Sequence, residues 1–339
     1  MNRNNPYSTL SYPAAILIVL SMLFAACDTP AEVALGQFED VTEYFKLVMQ
    51  KEEFFKSEED ILEDPQQEGM AKQSTVDGFP VRPIVVRREI LSIDRAFSFE
   101  FTDETTAVGT MVRTIEGKLW VRGIIQRLPA PDTTFAKPFT ETATRKAIFK
   151  KVDDTGTVEN DWKMVAVSLL EGGTADRDFD IRRLNVRFRG DQEREYTDPL
   201  NTFLRIGRDG PQVPVVSLVQ FRANGFSVEV TIQSASEEPE IVYLRHGGGI
   251  SRPGAIAHGY MRRLQMELDP GSERVANGLY TRTYVIDWLP AIVLPGMVVG
   301  EHLGQGRFST IVESISHATL YDTGAPVETH YWGVPFVVE

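Results

Sequence analysis

The sequence predicts an α+β N-terminal domain, a helix on a curved antiparallel sheet, followed by an all-β sandwich. Three observations carry that reading. Ala34, Phe38, Val41, Phe45 and Val48 recur at steps of four, three, four and three, which puts them on one face of a 3.6-residue helix. From residue 81 the period changes to two, in segments rich in Val, Ile, Thr and aromatics. After residue 176 no helical period is sustained, and short strand-like segments alternate with Pro, Gly and Asp-Gly turns.

The chain opens on an apolar run from Ala14 to Ala26 broken only by Ser21, and Arg3 is the only charge before Asp28. At about 1.5 Å per residue such a helix spans roughly 20 Å, short of the ~30 Å hydrocarbon core. A secretory leader fits that length and its small-residue exit better than a membrane-spanning helix. The run ends in Phe24-Ala25-Ala26-Cys27, and Cys27 is the only cysteine in the chain. This resembles the lipobox of bacterial lipoproteins, with Phe24 where leucine is usual. The resemblance implies a signal peptide over residues 1–26, removed in front of Cys27, and a diacylglycerol on the Cys27 sulfur with acyl chains such as palmitate. It also implies a place in the bacterial cell envelope, with the membrane as partner through the anchor and the body outside the cytoplasm. Cleavage without acylation would leave a lone thiol in an oxidising compartment. Asp28 resembles an inner-membrane retention signal of enteric bacteria; other bacterial groups sort differently, so the choice of membrane stays open.

Without residues 1–26 the chain carries 34 Lys plus Arg against 48 Asp plus Glu, a formal charge of −14. Phosphate binding needs clustered cations, so nucleic acid is not expected as a partner. Hydrophobic residues at 42% and charged residues at 24% are ordinary globular values and imply a packed core. With one cysteine, that core forms without disulfides.

The first domain is expected over residues 27–172. Thr29 suits an N-cap, Pro30 the first helical position, and Glu32 the acceptor of a capping box. The helix is expected to fray into a charged tract from Lys51 to Asp64, before Pro65. Strands are expected over 81–91, 93–101, 105–115, 118–127, 140–152 and 161–170, with a turn at Glu116-Gly117.

Within this domain, Ala143-Thr144-Arg145-Lys146-Ala147-Ile148-Phe149, the acidic turn Asp153-Asp154, and the strand from Trp162 to Ser168 resemble the last two strands of the nuclear transport factor 2-like, cystatin-like superfamily. The resemblance implies a cone of helix and curved sheet whose mouth holds a pocket, with Trp120, Arg122, Arg145, Phe149 and Trp162 as candidate lining. Tryptophans and arginine stems on strands more often pack sheet faces, so packing is the stronger reading of these five. An isomerase-type site would need a buried carboxylate base and a facing acid donor, and the sequence assigns no such pair.

A Gly-rich, charged passage from Leu170 to Asp178 reads as a hinge to the second domain, residues 176–339. Its expected strands are 181–189, 201–206, 213–221, 226–234, 239–245, 260–268, 278–288, 307–316 and 330–338. Over 226–234, Phe226, Val228, Val230 and Ile232 alternate with polar residues, the pattern of a strand with one wet face. The domain resembles the immunoglobulin-like modules of bacterial surface proteins, without the cysteine pair of antibody domains.

Five local patterns touch on chemistry. His246-Gly247-Gly248-Gly249 resembles the oxyanion loop of lipases, but no Gly-x-Ser-x-Gly elbow accompanies it. Asp176, Asp178 and Asp180 offer calcium-type oxygens without the Gly and distal Glu of an EF-hand, which favours a solvated linker over a metal site. His246, His258, His302, His317 and His330 lack zinc spacing, and the glycines from Gly300 to Gly306 lack the strand-to-helix frame of a phosphate cradle. Arg189-Gly190-Asp191 is ordinary turn chemistry. No metal or cofactor is expected, and the leading expectation is a non-enzymatic, lipid-anchored envelope protein that binds a ligand or partner. The alternative is an isomerase- or hydrolase-like enzyme using a pocket of the N-terminal cone.

Overall fold

A computed structural model describes residues 35–63, 81–125, 133–188, 193–206, 212–216, 226–246, 262–288 and 306–338. The described residues fall into two units that divide between Glu43 and Tyr44. Helix α1 spans Leu35–Lys51 and α2 spans Glu53–Glu63. Three long strands follow: β1 (Val81–Asp103), β2 (Thr106–Ile125) and β3 (Thr133–Lys151). The short helix α3 (Val158–Asp161) leads into β4 (Trp162–Ser168), β5 (Leu170–Gly173), β6 (Phe179–Phe188), β7 (Arg194–Tyr196), β8 (Phe203–Arg205) and β9 (Val215–Val216). The remainder is β10 (Phe226–Ser234), β11 (Ile241–His246), β12 (Arg262–Gln265), β13 (Glu267–Leu268), β14 (Arg274–Ala276), β15 (Leu279–Trp288), β16 (Gly306–Ile315), α4 (His317–Tyr321) and β17 (Thr329–Val338).

Among the described residues the named strands form two sheets, antiparallel but for the parallel pairing of β9 with β17. The larger has 11 strands in the order β1-β2-β3-β5-β17-β16-β11-β12, with β4, β8 and β9 attached to its side; the smaller has six, β13-β15-β10-β6-β7 with β14 on β15. The sheets meet where the Phe226 and Phe336 rings lie 6.4 Å apart, and where the Ile181 N–H donates to His330 Nδ1 at 2.9 Å. β10 keeps the expected alternation, with Phe226, Val228, Val230 and Ile232 buried.

Several sequence expectations change at this level. The tract 51–64 does not fray: α2 buries Phe54, Phe55, Ile61 and Leu62. These positions repeat at helical spacing, and burial of the apolar stripe outweighs the charges between them. The strands expected over 81–91 and 93–101 are one strand, with a bulge between Ile90 and Ser92. Glu116-Gly117 is not a turn but mid-strand in β2, where Gly117 pairs with Ile90 and Phe139. A Cβ there would stand 2.5 Å from the Glu89 carbonyl oxygen and 2.6 Å from the Phe139 ring, so the glycine marks close approach.

The first part of the expected hinge, Leu170–Gly173, is also strand. In β5, Gly173 pairs with Thr142 of β3 on one side and His330 of β17 on the other, so strands from both sides of the 172–176 boundary share one sheet. Gly173 has φ of +138°, and a Cβ on Gly172 would meet the Tyr331 ring at 2.3 Å and the Thr142 carbonyl oxygen at 2.4 Å. This Gly-Gly pair answers to sheet packing rather than to hinge motion. Residues 1–34, including Cys27, Thr29, Pro30 and Glu32, lie outside the described residues. Among the described residues no helix is long and apolar enough to cross a membrane.

Candidate functional site

The chemistry of the interior begins with strand alternation. Arg113 stands between Met111 and Ile115, Glu141 between Phe139 and Ala143, and Glu313 between Ile311 and Ile315, each two residues from buried apolar neighbours. In a strand that spacing forces the charged side chain onto the apolar face. Arg88, Arg145 and Arg245 enter the same interior from β1, β3 and β11, and Glu58 enters from α2; all seven are buried.

The buried charges pair in two groups. Arg113 Nη2 donates to Glu58 Oε2 at 2.9 Å, Arg145 Nη1 to Glu58 Oε1, and the Ser309 hydroxyl to Glu58 Oε1 at 3.1 Å. Arg88 Nη1 donates to Glu313 Oε1 at 2.7 Å and Arg88 Nη2 to Glu141 Oε2, while Arg245 Nη1 lies 3.5 Å from Glu313 Oε1. The Thr329 hydroxyl completes Glu141 at 2.6 Å. The guanidinium groups also hold backbone carbonyls: Arg145 Nε that of Ser168 at 2.9 Å, Arg113 Nη1 that of Phe55 at 3.3 Å, and Arg245 Nη2 that of Ile61. The last two are carbonyls of α2, so the cluster fastens the helix to the sheet.

Burial pulls the Arg88 guanidinium toward deprotonation, but the Glu141 and Glu313 carboxylates outweigh it and its pKa ends raised. At Arg145, burial is only partly offset by Glu58, and neighbouring Arg113 repels, so the pKa is lowered. Tyr331 is raised by burial and by Glu141, and its hydroxyl donates to the Thr142 carbonyl at 3.2 Å. A pair at 4 Å gains about 4 kcal/mol at an effective dielectric of 20, while desolvation costs several kcal/mol per ion. The cluster is therefore poor as a net source of stability and costly to break.

The five residues expected to line a pocket divide by strand parity. Arg145, Phe149 and Trp162 are buried, whereas Trp120 and Arg122 are exposed. Arg145 pairs with Met111, and β2 runs without a break from 106 to 125, so the even-numbered Trp120 and Arg122 point to the opposite face. Trp120 Nε1 donates to Glu89 Oε2 at 2.7 Å. Phe149 stacks on Phe45 at 4.0 Å, and Trp162 meets Phe45 edge-on at 5.2 Å. Those rings fill the space below the C-terminal half of α1.

Of the three aspartates weighed as calcium ligands, Asp176 and Asp178 are exposed, and Asp180 is engaged by Arg177 at 3.1 Å and Arg182 at 3.4 Å. Among the described residues no group of three or more His, Cys, Asp or Glu is gathered as a metal ion would require. His317 stacks on Tyr321 at 4.0 Å, and burial pushes its pKa down to about 4. Burial also lowers His330, against the pull of Glu171. His258, His302, Arg189-Gly190-Asp191 and the triple glycine after His246 lie outside the described residues.

One cleft opens beside the Glu58 group, with a volume of about 240 Å³, lined by Met49, Gln50, Phe55, Arg95, Met111 and Arg113. Arg95 on β1 and Arg113 on β2 are direct cross-strand partners. The Arg113 Nε, buried, has no hydrogen-bond partner. Chemically the cleft joins two cations to a wall of two thioethers and a ring. No family model, curated protein or solved structure matches this chain.

Proposed function

We propose that this chain is a lipid-anchored protein of the bacterial cell envelope whose β-rich body binds a ligand or partner without catalysing a reaction. The carrying observation is the apolar run that closes on Phe24-Ala25-Ala26-Cys27 and holds the chain's only thiol. An acylated cysteine fits that thiol, because a free one has no intramolecular partner. Attachment through two acyl chains supplies the second hydrophobic signal that stable anchoring needs.

The interior supports binding over catalysis. Glu58, Glu141 and Glu313 are buried, and each is committed to arginine. A general base needs a carboxylate within reach of substrate. Phe149 and Trp162, two of the residues expected to line the pocket of the cone, pack on Phe45. The finer division into a cone-like module and an immunoglobulin-like sandwich is part of the proposal: α2 on β2 and β3 favours it, and the shared strand β5 between β3 and β17 argues against a clean separation.

Metabolic labelling with an alkyne analogue of palmitate in the native host tests the anchor. Label on the wild type and none on Cys27→Ala is the expected result. Equal label on both, or none on the wild type, refutes the anchor.

A further inference from the structure

We infer that His330 is an acid-sensitive latch between the two sheets: neutral, it holds β6 to β17 through the Ile181 amide, and protonated, it releases that amide and turns to Asp180 and Glu171. The inference goes beyond the binding reading and is independent of the Cys27 anchor. His330 lies on β17 and is 2% exposed, yet its ring reaches across to the smaller sheet. There the Ile181 N–H donates to Nδ1 at 2.9 Å. A bulge accompanies that contact: Ile181 pairs with Ile232 and Arg183 with Thr231, so Arg182 is the extra residue and the ladder is locally broken.

That bond assigns the proton of the ring. An imidazole nitrogen that accepts carries no hydrogen, so the neutral ring holds its proton on Nε2. Glu171 Oε1 of β5 lies 3.5 Å from Nε2 to receive it, with Arg177 Nη2 at 3.4 Å and Trp332 Nε1 at 3.3 Å beside it. Nδ1 has a second neighbour, Asp180 Oδ1, at 3.6 Å. A second proton on the ring turns Nδ1 into a donor. It then meets the Ile181 N–H donor against donor, while Asp180 offers an acceptor next to it. Protonation thus exchanges a bond to the β6 backbone for ion pairs with Asp180 and Glu171, and leaves the Ile181 amide unpaired.

The surrounding charges set the sign. Burial, and after it the Arg177 guanidinium, hold the ring's pKa below the ordinary 6.5, against the pull of Glu171 and Asp180. Asp180 also engages Arg177 and Arg182, so its charge is shared. From β16 the residue opposite His330 is the uncharged Ser314, and Glu328, just before β17, is set against Asp178. The unfolded chain takes up the proton near 6.5 and the folded chain only below it. The latch is therefore closed above 6.5, and its contribution is lost as pH falls through the lowered value. A pH switch needs an element with two states, and the junction supplies one in an amide that is either held or released.

The test is hydrogen exchange of the full chain in phosphatidylcholine nanodiscs, read by mass spectrometry from about pH 8 to about pH 4 and corrected for the pH dependence of chemical exchange. Expected is about tenfold faster exchange in the β6 peptide as pH falls, the equivalent of one lost hydrogen bond. The β15 peptide, two strands away in the same sheet, is expected to change less. His330→Gln supplies an acceptor that does not titrate, so its β6 exchange is expected to stay level. Glu171→Gln keeps an acceptor for Nε2 but removes the charge that favours the protonated ring, and is expected to move the rise to lower pH. Circular dichroism establishes that the variants fold at the upper pH; should His330→Gln not fold, wild type and Glu171→Gln decide the matter. Level β6 exchange in wild type, the same rise in His330→Gln, or a rise in Glu171→Gln at unchanged or higher pH overturns the latch. Equal acceleration of β15 and β6 also overturns it, because acid then opens the whole sheet rather than the junction. Failure of Cys27 labelling overturns the anchor alone.

Discussion

Glu58 on α2 and Arg113 on β2 are joined by a 2.9 Å ion pair in which neither side chain is more than 1% exposed. The same carboxylate also receives Arg145, so a single residue of a short helix is shared by two cations of the sheet. Breaking a buried pair from one side leaves charge without compensation. Glu58→Gln is therefore expected to destabilise the fold by about 3–5 kcal/mol, read by urea denaturation. A change below about 1 kcal/mol would show that the cations find other partners.

Gly117 tests close strand packing. With backbone only 2.5 Å from the position of an added Cβ, Gly117→Ala cannot be accommodated by rotating a side chain. A loss of about 1–3 kcal/mol is expected in the same measurement, the usual cost of overpacking. Gly156, with nothing within 4 Å, offers a contrast in which the cost arises from its φ of +78° alone.

Lys137 closes the end of α4. Its ammonium donates to the carbonyls of Thr319 at 2.7 Å and Ala318 at 3.4 Å, and to that of Asp322. Lys137→Met keeps the stem and removes the ammonium donor from these carbonyls. The expected cost is about 1–3 kcal/mol, with hydrogen exchange accelerated first in α4.

His317 gives the fold a pH dependence of definite sign. The unfolded chain takes up its proton near 6.5, while the folded chain, holding the ring against Tyr321, does so only near 4. The unfolded state therefore binds more protons between these values, and stability present above about 6.5 is lost as pH falls toward 4. His317→Phe keeps a ring for stacking and removes the titration. Thermal melts of this variant are expected to lose less stability than wild type across that interval.

Much of the fold was legible because strand alternation and helix periodicity are local. The strand over 226–234 and the placement of β15, β16 and β17 follow from patterns of a few residues. The long strands were harder. Ser92 beside a bulge and Gly117 at a contact both read as breaks, although pairing across β1, β2 and β3 carries the chain straight through them. The Gly172-Gly173 pair misled in the same way, since the demand for glycine comes from Tyr331 and Thr329, more than 150 residues away.

The candidate site was legible only in part. Arg145 was singled out from its strand, yet Arg113 and Glu141 carried the same signal, a charge two residues from apolar neighbours on both sides. Their partners, Glu58 and Glu313, come from distant segments, and no local pattern pairs them. Trp120 and Arg122 were grouped with Arg145 by residue type, but parity on one unbroken strand sends them to the other face.

The claim on which the functional account depends is the greased cysteine. Mass spectrometry of the amino-terminal peptide from protein recovered from its native host measures it directly. The account predicts a chain beginning at Cys27 with diacylglycerol on its sulfur and residues 1–26 gone. A peptide that still carries those residues, with Cys27 unmodified, would contradict it.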